Sequence, residues 1–433
     1  MLVYTPQINT RVEYIFRTIF EDVWNSSIQL TDDVQEFENY TGPKLNYSMR
    51  QLGEELFIES HGLLQERGIS DQEIQIIQWD GLPAFFQTSN YSSVPFDVFS
   101  ASFYLLSRYE EYLPHIRDHY ERFMAKESLA FEHGFLQKPL VNMWLKKLLR
   151  VIQEKYPAYT IPQQSFKYVS TIDIDNAYCY LEKGFVRTIG AFARSAWMGD
   201  WEEFKERWKV LRGKTNDPYD TFEMQLSLQE KYDIEVMYFV LLADYGLNDK
   251  NIPVQSRKFQ LLIKHLADHA SIGIHPSFGA NTQKEKLGIE WKRLKNIIKR
   301  EVSVSRQHFL KLSFPMTYRN LLDLDIQNDY TMGYAAYPGF RASTCTPFHF
   351  YDLELEQSTA LKIHPFMVMD ATFKYYLEFS PEQSLALTKE LIDEVKRVNG
   401  TFVSLWHNET WSNHGGWKGW GNLYEQIVQY AKR

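Results

Sequence analysis

From Tyr168 to the C-terminus, short apolar runs alternate with amphipathic helical segments, and no other feature of this chain restricts its fold as tightly. The runs EVMYFVLLAD (235–244), SIGIH (271–275), KIHPFMVMD (362–370) and TFVSLWH (401–407) read as strands. Between them lie SRKFQLLIKHLADHA, EKLGIEWKRLKNIIKR and PEQSLALTKELIDEVKRV, whose apolar residues recur at helical spacing. Strands alternating with helices predict an α/β fold, a mainly parallel sheet or a barrel with helices outside. In that architecture the functional groups gather at the C-terminal strand ends, where the loops close over a ligand.

Those ends carry titratable side chains. The stretch YVSTIDIDNAY (168–178) begins as a buried strand and runs into Asp173 and Asp175. Alternate residues of a strand share a face, so both acids can serve one site. Crowded carboxylates cost repulsion and desolvation unless a cation or partner base offsets it. A bland reading remains for Asp175, which with Asn176 is also a good helix N-cap. His275 ends SIGIH just before Pro276, where the chain must turn, and a carboxylate pair beside a histidine is a donor set for a divalent ion. His407 ends its strand between Trp406 and Asn408, and imidazole is the side chain best suited to give up a proton near neutral pH. Arg306, His308, Arg341 and Asp370 stand near other strand ends; a buried arginine holding a carboxylate ionised is one role for Arg306 or Arg341, and a surface charge is the other. Periodicity alone assigns neither His308 nor His364 to a pocket. WSNHGGWKGWGN reads equally as an aromatic lid for sugar rings or as a turn packing its tryptophans inward.

The first 165 residues lack the strand–helix rhythm and read as a compact α+β unit, separated by the proline-bearing PAYTIPQQSF from the alternating unit at 166–433. Two units suit a chain of 433 residues. A net charge of −8 offers no basic footprint for nucleic acid. Only Cys179 and Cys345 are present, which fits a reducing compartment; with neither a secretion signal nor an apolar run long enough for a membrane span, the expectation is a cytoplasmic protein. Aromatic residues at 15% suit sugar-stacking surfaces and large cores alike.

Taken together, TIDID, GIHPSFGA, SRQHF and SLWHNE resemble, in order and spacing, the motifs of the polysaccharide deacetylase family, the NodB-homology carbohydrate esterases, over positions 166–433. The first 165 residues resemble an uncharacterised leading domain found on deacetylase-like proteins of this size, which implies no chemistry. The resemblance implies a distorted (β/α) barrel behind the smaller N-terminal α+β domain, and a hydrolase removing an N-acyl or O-acyl group from an amino-sugar glycan or its precursor. It implies Asp173 as general base oriented by Arg306, His407 as general acid, and Asp175, His275 and His308 around a divalent metal such as zinc. Arg341, Trp406 and Asn408 would then contact the carbohydrate. Two positions depart from the pattern: Asp175 is displaced by one residue from the usual adjacent acid, and the usual second metal histidine falls at Gly279, so the three-ligand site is incomplete unless His308 or another residue substitutes. The departures leave two rival readings, a degenerate carbohydrate-binding barrel and a metal-independent glycan hydrolase using Asp173 and Asp175 as acid and base.

Overall fold

The computed structural model describes residues 1–433. In the N-terminal unit, β1 (Leu2–Tyr4), β2 (Gln29–Thr31), β3 (Lys44–Ser48) and β4 (Leu56–Glu59) form a sheet in the order β2-β1-β3-β4. Every pair in it is parallel, which corrects the expected α+β character. Strands this short span too little chain to write a two-residue rhythm into the sequence. The helix Thr10–Arg17 follows β1 and starts at Asn9, whose side chain accepts from the Val12 N–H. A hairpin of β5 (Ile77–Trp79) and β6 (Leu82–Ala84) turns on Asp80-Gly81, both at positive φ (49° and 76°), the backbone that a two-residue hairpin favours. The helix Leu140–Lys155 closes the unit.

The second unit is built on nine strands: β7 (Lys167–Ile174), β8 (Glu235–Leu241), β9 (Ser271–His275), β10 (Val304–Ser305), β11 (Asn328–Asp329), β12 (Phe348–Asp352), β13 (Gln357–Ile363), β14 (Val368–Met369) and β15 (Thr401–His407). They form one sheet in the order β12-β13-β11-β10-β9-β8-β7-β15-β14, parallel throughout except for β12 against β13. The run 362–370 is two strands, not one, broken at His364-Pro365. The ladders do not close into a ring, so the expected barrel is present only as its mainly parallel sheet. The gap between the β11 side and β15 is crossed by irregular chain, in which the N–H groups of His364, Phe366 and Met367 bond the carbonyls of Asp329, Met332 and Val403 at 2.8, 3.0 and 3.0 Å.

Register places the site. Across the β15–β7 ladder His407 lies opposite Asp173, and across β8–β9 Leu241 lies opposite His275, so the titratable ends are level at one edge of the sheet. Thr171, Asp173 and Asp175 share one face of β7, while on the other face the Ser170 hydroxyl meets the Tyr424 hydroxyl at 3.0 Å, under the helix Trp420–Lys432. Gly273 permits the close fit of β9: a Cβ there would stand 2.6 Å from the Phe239 ring.

The two units share one continuous apolar core. A buried ion cluster crosses between them, with Glu111 accepting from Arg108 Nε at 2.8 Å and from Arg341 Nε and Nη2 at 2.9 and 2.5 Å. Burial would raise the Glu111 carboxyl, but the two guanidinium groups hold it down to about 2. Arg341 thus serves the interface, its Nη1 donating to the Gly333 carbonyl at 3.1 Å, and it also lines a cavity beside Phe123 and Tyr334. Trp406 is corrected from substrate contact. It is fully buried on the face of β15 opposite His407, its Nε1 donating to Ser404 Oγ at 3.0 Å and its ring packed edge-on to Tyr424. Asn408 is also buried and spends its amide on the carbonyls of Asn176 and Tyr219, tying loops together. Within WSNHGGWKGWGN, Trp411, Trp417 and Trp420 are buried, so the segment is the packed turn.

Candidate active site

Asp173, Asp175, His275, His308 and His407 line one cavity of about 260 Å³ at the C-terminal edge of the sheet. His275 ends β9 with Nε2 3.7 Å from Asp173 Oδ2 and 3.2 Å from Asp175 Oδ1. His308 arrives on the next strand over. Past the end of β10 the chain keeps pairing with the chain beyond β9, the N–H groups of Arg306 and His308 bonding the carbonyls of Ile274 and Pro276. That continuation sets the two imidazoles 5.1 Å apart, centroid to centroid, and brings His308 Nε2 to 3.5 Å from Asp175 Oδ2. The second imidazole therefore comes from a neighbouring strand end, and Gly279 faces the Lys286 side chain instead.

Each ring's other nitrogen fixes its tautomer. His275 Nδ1 donates to the Arg306 carbonyl at 2.6 Å, and His308 Nδ1 donates to Asp249 Oδ1 at 2.9 Å; neither oxygen can donate in return. Both Nε2 atoms are thereby turned toward Asp175. Asp175 Oδ1 is buried without a hydrogen-bond partner. A carboxylate with one orphaned oxygen, whose two oxygens face two imidazole nitrogens each oriented from behind by an oxygen, is a donor set that fits a divalent ion of the zinc type. The three ligand atoms lie within 4.8 Å of one another. Without an ion, a proton takes its place: burial opposes it, yet Asp175 and Asp249 push His308 up to about 9. Burial likewise would raise the Asp175 carboxyl, but His308 and His275 hold it well below the usual carboxylate range.

The remaining groups flank this centre. Arg306 is fully buried over the Phe239 ring (4.6 Å) and donates through Nη1 to Asp173 Oδ1 at 3.1 Å and Thr171 Oγ1 at 2.7 Å, leaving Asp173 Oδ2 toward the cavity. Burial lowers the guanidinium's pKa against the pull of Asp173. His407 donates through Nδ1 to Asp370 Oδ1 at 2.7 Å, and its Nε2 stands 4.0 Å from Asp175 Oδ2. Burial works against protonation, but Asp370 raises His407 well above an ordinary imidazole. Asp370 also accepts from the His407 N–H at 2.8 Å and from Thr410 Oγ1. Nearby, burial pushes Glu409 up to about 7, against the charge of His407.

The geometry thus brings together Asp173, Asp175, His275, His308 and His407, with Arg306 behind Asp173, leaves Trp406 and Asn408 outside, and places Arg341 in the wall of a neighbouring cavity. His364 stacks flat on Tyr330 (4.3 Å) away from the cavity. Sequence reasoning gave no role to Asp249, Asp370 or the cavity wall of Arg122, Tyr375 and Tyr376. A signal existed for Asp370, which ends the strand run preceding β15; none existed for Asp249, in a polar loop. A second cavity of about 370 Å³ adjoins the first, sharing Arg122, Leu310, Ala335 and Tyr376 and walled by Phe123, Tyr334 and Tyr337.

Residues 1–157 match the model of a family of unknown function (DUF7033). A comparison with curated proteins finds no match. Among solved structures, the chain is similar to a protein of Mycobacterium smegmatis described as a polysaccharide deacetylase, at 12% identity over 63% of this chain and 86% of that one, with a TM-score of 0.41. It is also similar to the polysaccharide deacetylase Bc1974 of Bacillus cereus (9% identity, 62% and 86% covered, TM-score 0.31). A third is BA3943 of Bacillus anthracis, a CE4 family pseudoenzyme (10% identity, 60% and 62% covered, TM-score 0.29). Overlaps this loose carry no argument about activity, and the chemistry rests on the site's own geometry.

Proposed function

We propose that the protein is a metal-dependent deacylase that hydrolyses an N-acyl, or O-acyl, group of an amino-sugar glycan or its precursor. A divalent ion, zinc by its donor set, would be held by Asp175, His275 and His308 and would supply Lewis acidity toward the acyl carbonyl and water. Asp173, held through Oδ1 by Arg306, accepts the proton of the attacking water through Oδ2. His407, kept protonated by Asp370, delivers a proton to the departing amine or alcohol across the cavity. The observation that carries the reading is the pairing of an oriented base and an oriented acid around the Asp175–His275–His308 donor set. The amino-sugar substrate follows from the resemblance of TIDID, SRQHF and SLWHNE to the deacetylase motifs. The aromatic walls of the adjoining cavity suit further sugar rings.

Both rivals are disfavoured by specific contacts. Asp173 and Asp175 converge on one imidazole nitrogen, at 3.7 and 3.2 Å, which leaves no place for a glycosidic linkage between them. His308 stands where it would supply the ligand that Gly279 lacks, which weakens the argument for a degenerate site. The test is acyl release from N-acetylated chito-oligosaccharides by the zinc-loaded protein. Asp173→Asn should abolish release while zinc still binds; undiminished release in that variant would refute the mechanism, and carbohydrate binding without release in the wild type would leave the degenerate reading standing.

A further inference from the structure

Between β7 and β8 the chain leaves the sheet as a helical hairpin, Phe185–Trp197 and Trp201–Leu211, whose outward side is apolar. Phe185, Val186, Ile189 and Trp197, with Ala193 and Ala196 between them, fall on one third of the first helix's circumference at 100° per residue. Phe185 and Val186 are 80% and 82% exposed and Trp197 is 88% exposed, with Met198 and Trp201 open beside them. The inward sides account for the fold of the hairpin: Ser195 is buried, Phe192 at the border of the stripe meets Phe204 at 4.8 Å, and the buried Arg207 lies over Tyr180 and Phe192. The outer face therefore has no packing role, and soluble chains rarely leave so many large apolar side chains contiguous and bare.

Charge identifies the occupant. Residues 183–214 carry eight Lys and Arg against four Asp and Glu, in a chain whose net charge is −8. Arg212 and Lys214 stack over the exposed Trp208 at 4.5 and 5.3 Å, the pairing of tryptophan and cation found at a headgroup boundary. A second copy meeting this face with its own would oppose like charges, whereas an anionic lipid surface complements them. No helix of the protein is long and apolar enough to cross a membrane, so the hairpin is suited to lying in the interface. We propose that it docks the protein on an anionic lipid bilayer. Its base is tied to the rim of the cavity, Lys183 Nζ donating to Asn176 at 2.6 Å and Arg187 to the carbonyls of Asn251 and Lys250 at 3.1 Å, beside the loops that carry Asp175 and Asp249. The proposal does not depend on the reaction assigned to the cavity.

The test is cosedimentation of the full chain with phosphatidylcholine vesicles, with and without phosphatidylglycerol. Wild type should bind the anionic vesicles and release them in high salt. Phe185→Glu with Trp197→Glu should weaken partitioning about tenfold or more, and Lys205→Glu with Lys209→Glu should remove the preference for anionic lipid. All four positions are exposed or half-buried on the hairpin, so unchanged circular dichroism and zinc binding certify the variants. Failure of wild type to bind anionic vesicles, equal binding by the variants, or a lipid-free dimer that Phe185→Glu dissolves would each overturn the proposal.

Discussion

A divalent ion at Asp175, His275 and His308 has to evict a proton. His308 donates through Nδ1 to Asp249, and its Nε2 faces Asp175, so the two carboxylates push its pKa up to about 9 despite burial. At pH 7 the ring is about two units below that value and almost wholly protonated, and freeing its lone pair costs about 3 kcal/mol at about 1.4 kcal/mol per unit. Zinc affinity should therefore climb about tenfold per pH unit between pH 6 and 8 and level off above about 9. Titration calorimetry at pH 7 in two buffers of different ionisation enthalpy should count about one proton released from this ring, and His308→Ala should lose it. Asp249→Asn should flatten the pH slope, because one of the two carboxylates that raise the pKa is gone. The sign runs the other way for the metal-free fold: a raised pKa stabilises it below the unfolded value, and that contribution is lost as pH rises through about 9. Affinity flat from pH 6 to 8 with no proton released would refute the reasoning.

Asp370→Asn should let His407 lose its proton at lower pH, moving the alkaline limb of acyl release downward in a pH–rate profile while zinc binding is unchanged. Glu111→Gln leaves Arg108 and Arg341 buried without their shared anion and should cost about 3–5 kcal/mol in urea unfolding. Gly273→Ala drives a methyl to 2.6 Å from Phe239 and should cost about 1–3 kcal/mol, with zinc affinity falling because His275 stands two residues on.

What could be read beforehand follows the length of the elements. β7, β9 and β15 are continuous apolar runs bounded by turns, so their ends, and with them Asp173, His275 and His407, were legible; the helices at 257–269, 284–298 and 381–397 were legible from their period. The three- to five-residue strands of the N-terminal sheet carry no clear period, and its parallel pairing was invisible. Trp406 was misplaced although the signal existed: side chains alternate along a strand, so a residue adjacent to His407 faces away from it. Asp249 and Arg122 reach the site from loops whose path only tertiary structure defines, and no local pattern in the chain marks either one. His308 was named as the substitute for Gly279, but its route, one strand further along the sheet, depends on the pairing of Arg306 with Ile274.

That route also joins the N-terminal unit to the cavity. Immediately after His308 the chain takes two successive left-handed residues, Phe309 at φ 60° and Leu310 at φ 56°, each costing about 1–2 kcal/mol for an L side chain. Such a turn persists only where its surroundings over-determine it. Arg122, from the N-terminal unit, donates to the Phe309 carbonyl at 3.0 Å and to the Tyr376 hydroxyl at 3.0 Å, with Asp118 holding its Nε at 2.7 Å. The same side chain walls both cavities. Strain beside His308, a proposed metal ligand, is thus held in place by a guanidinium from the other half of the chain, so the geometry of the cavity rests in part on the docked N-terminal unit.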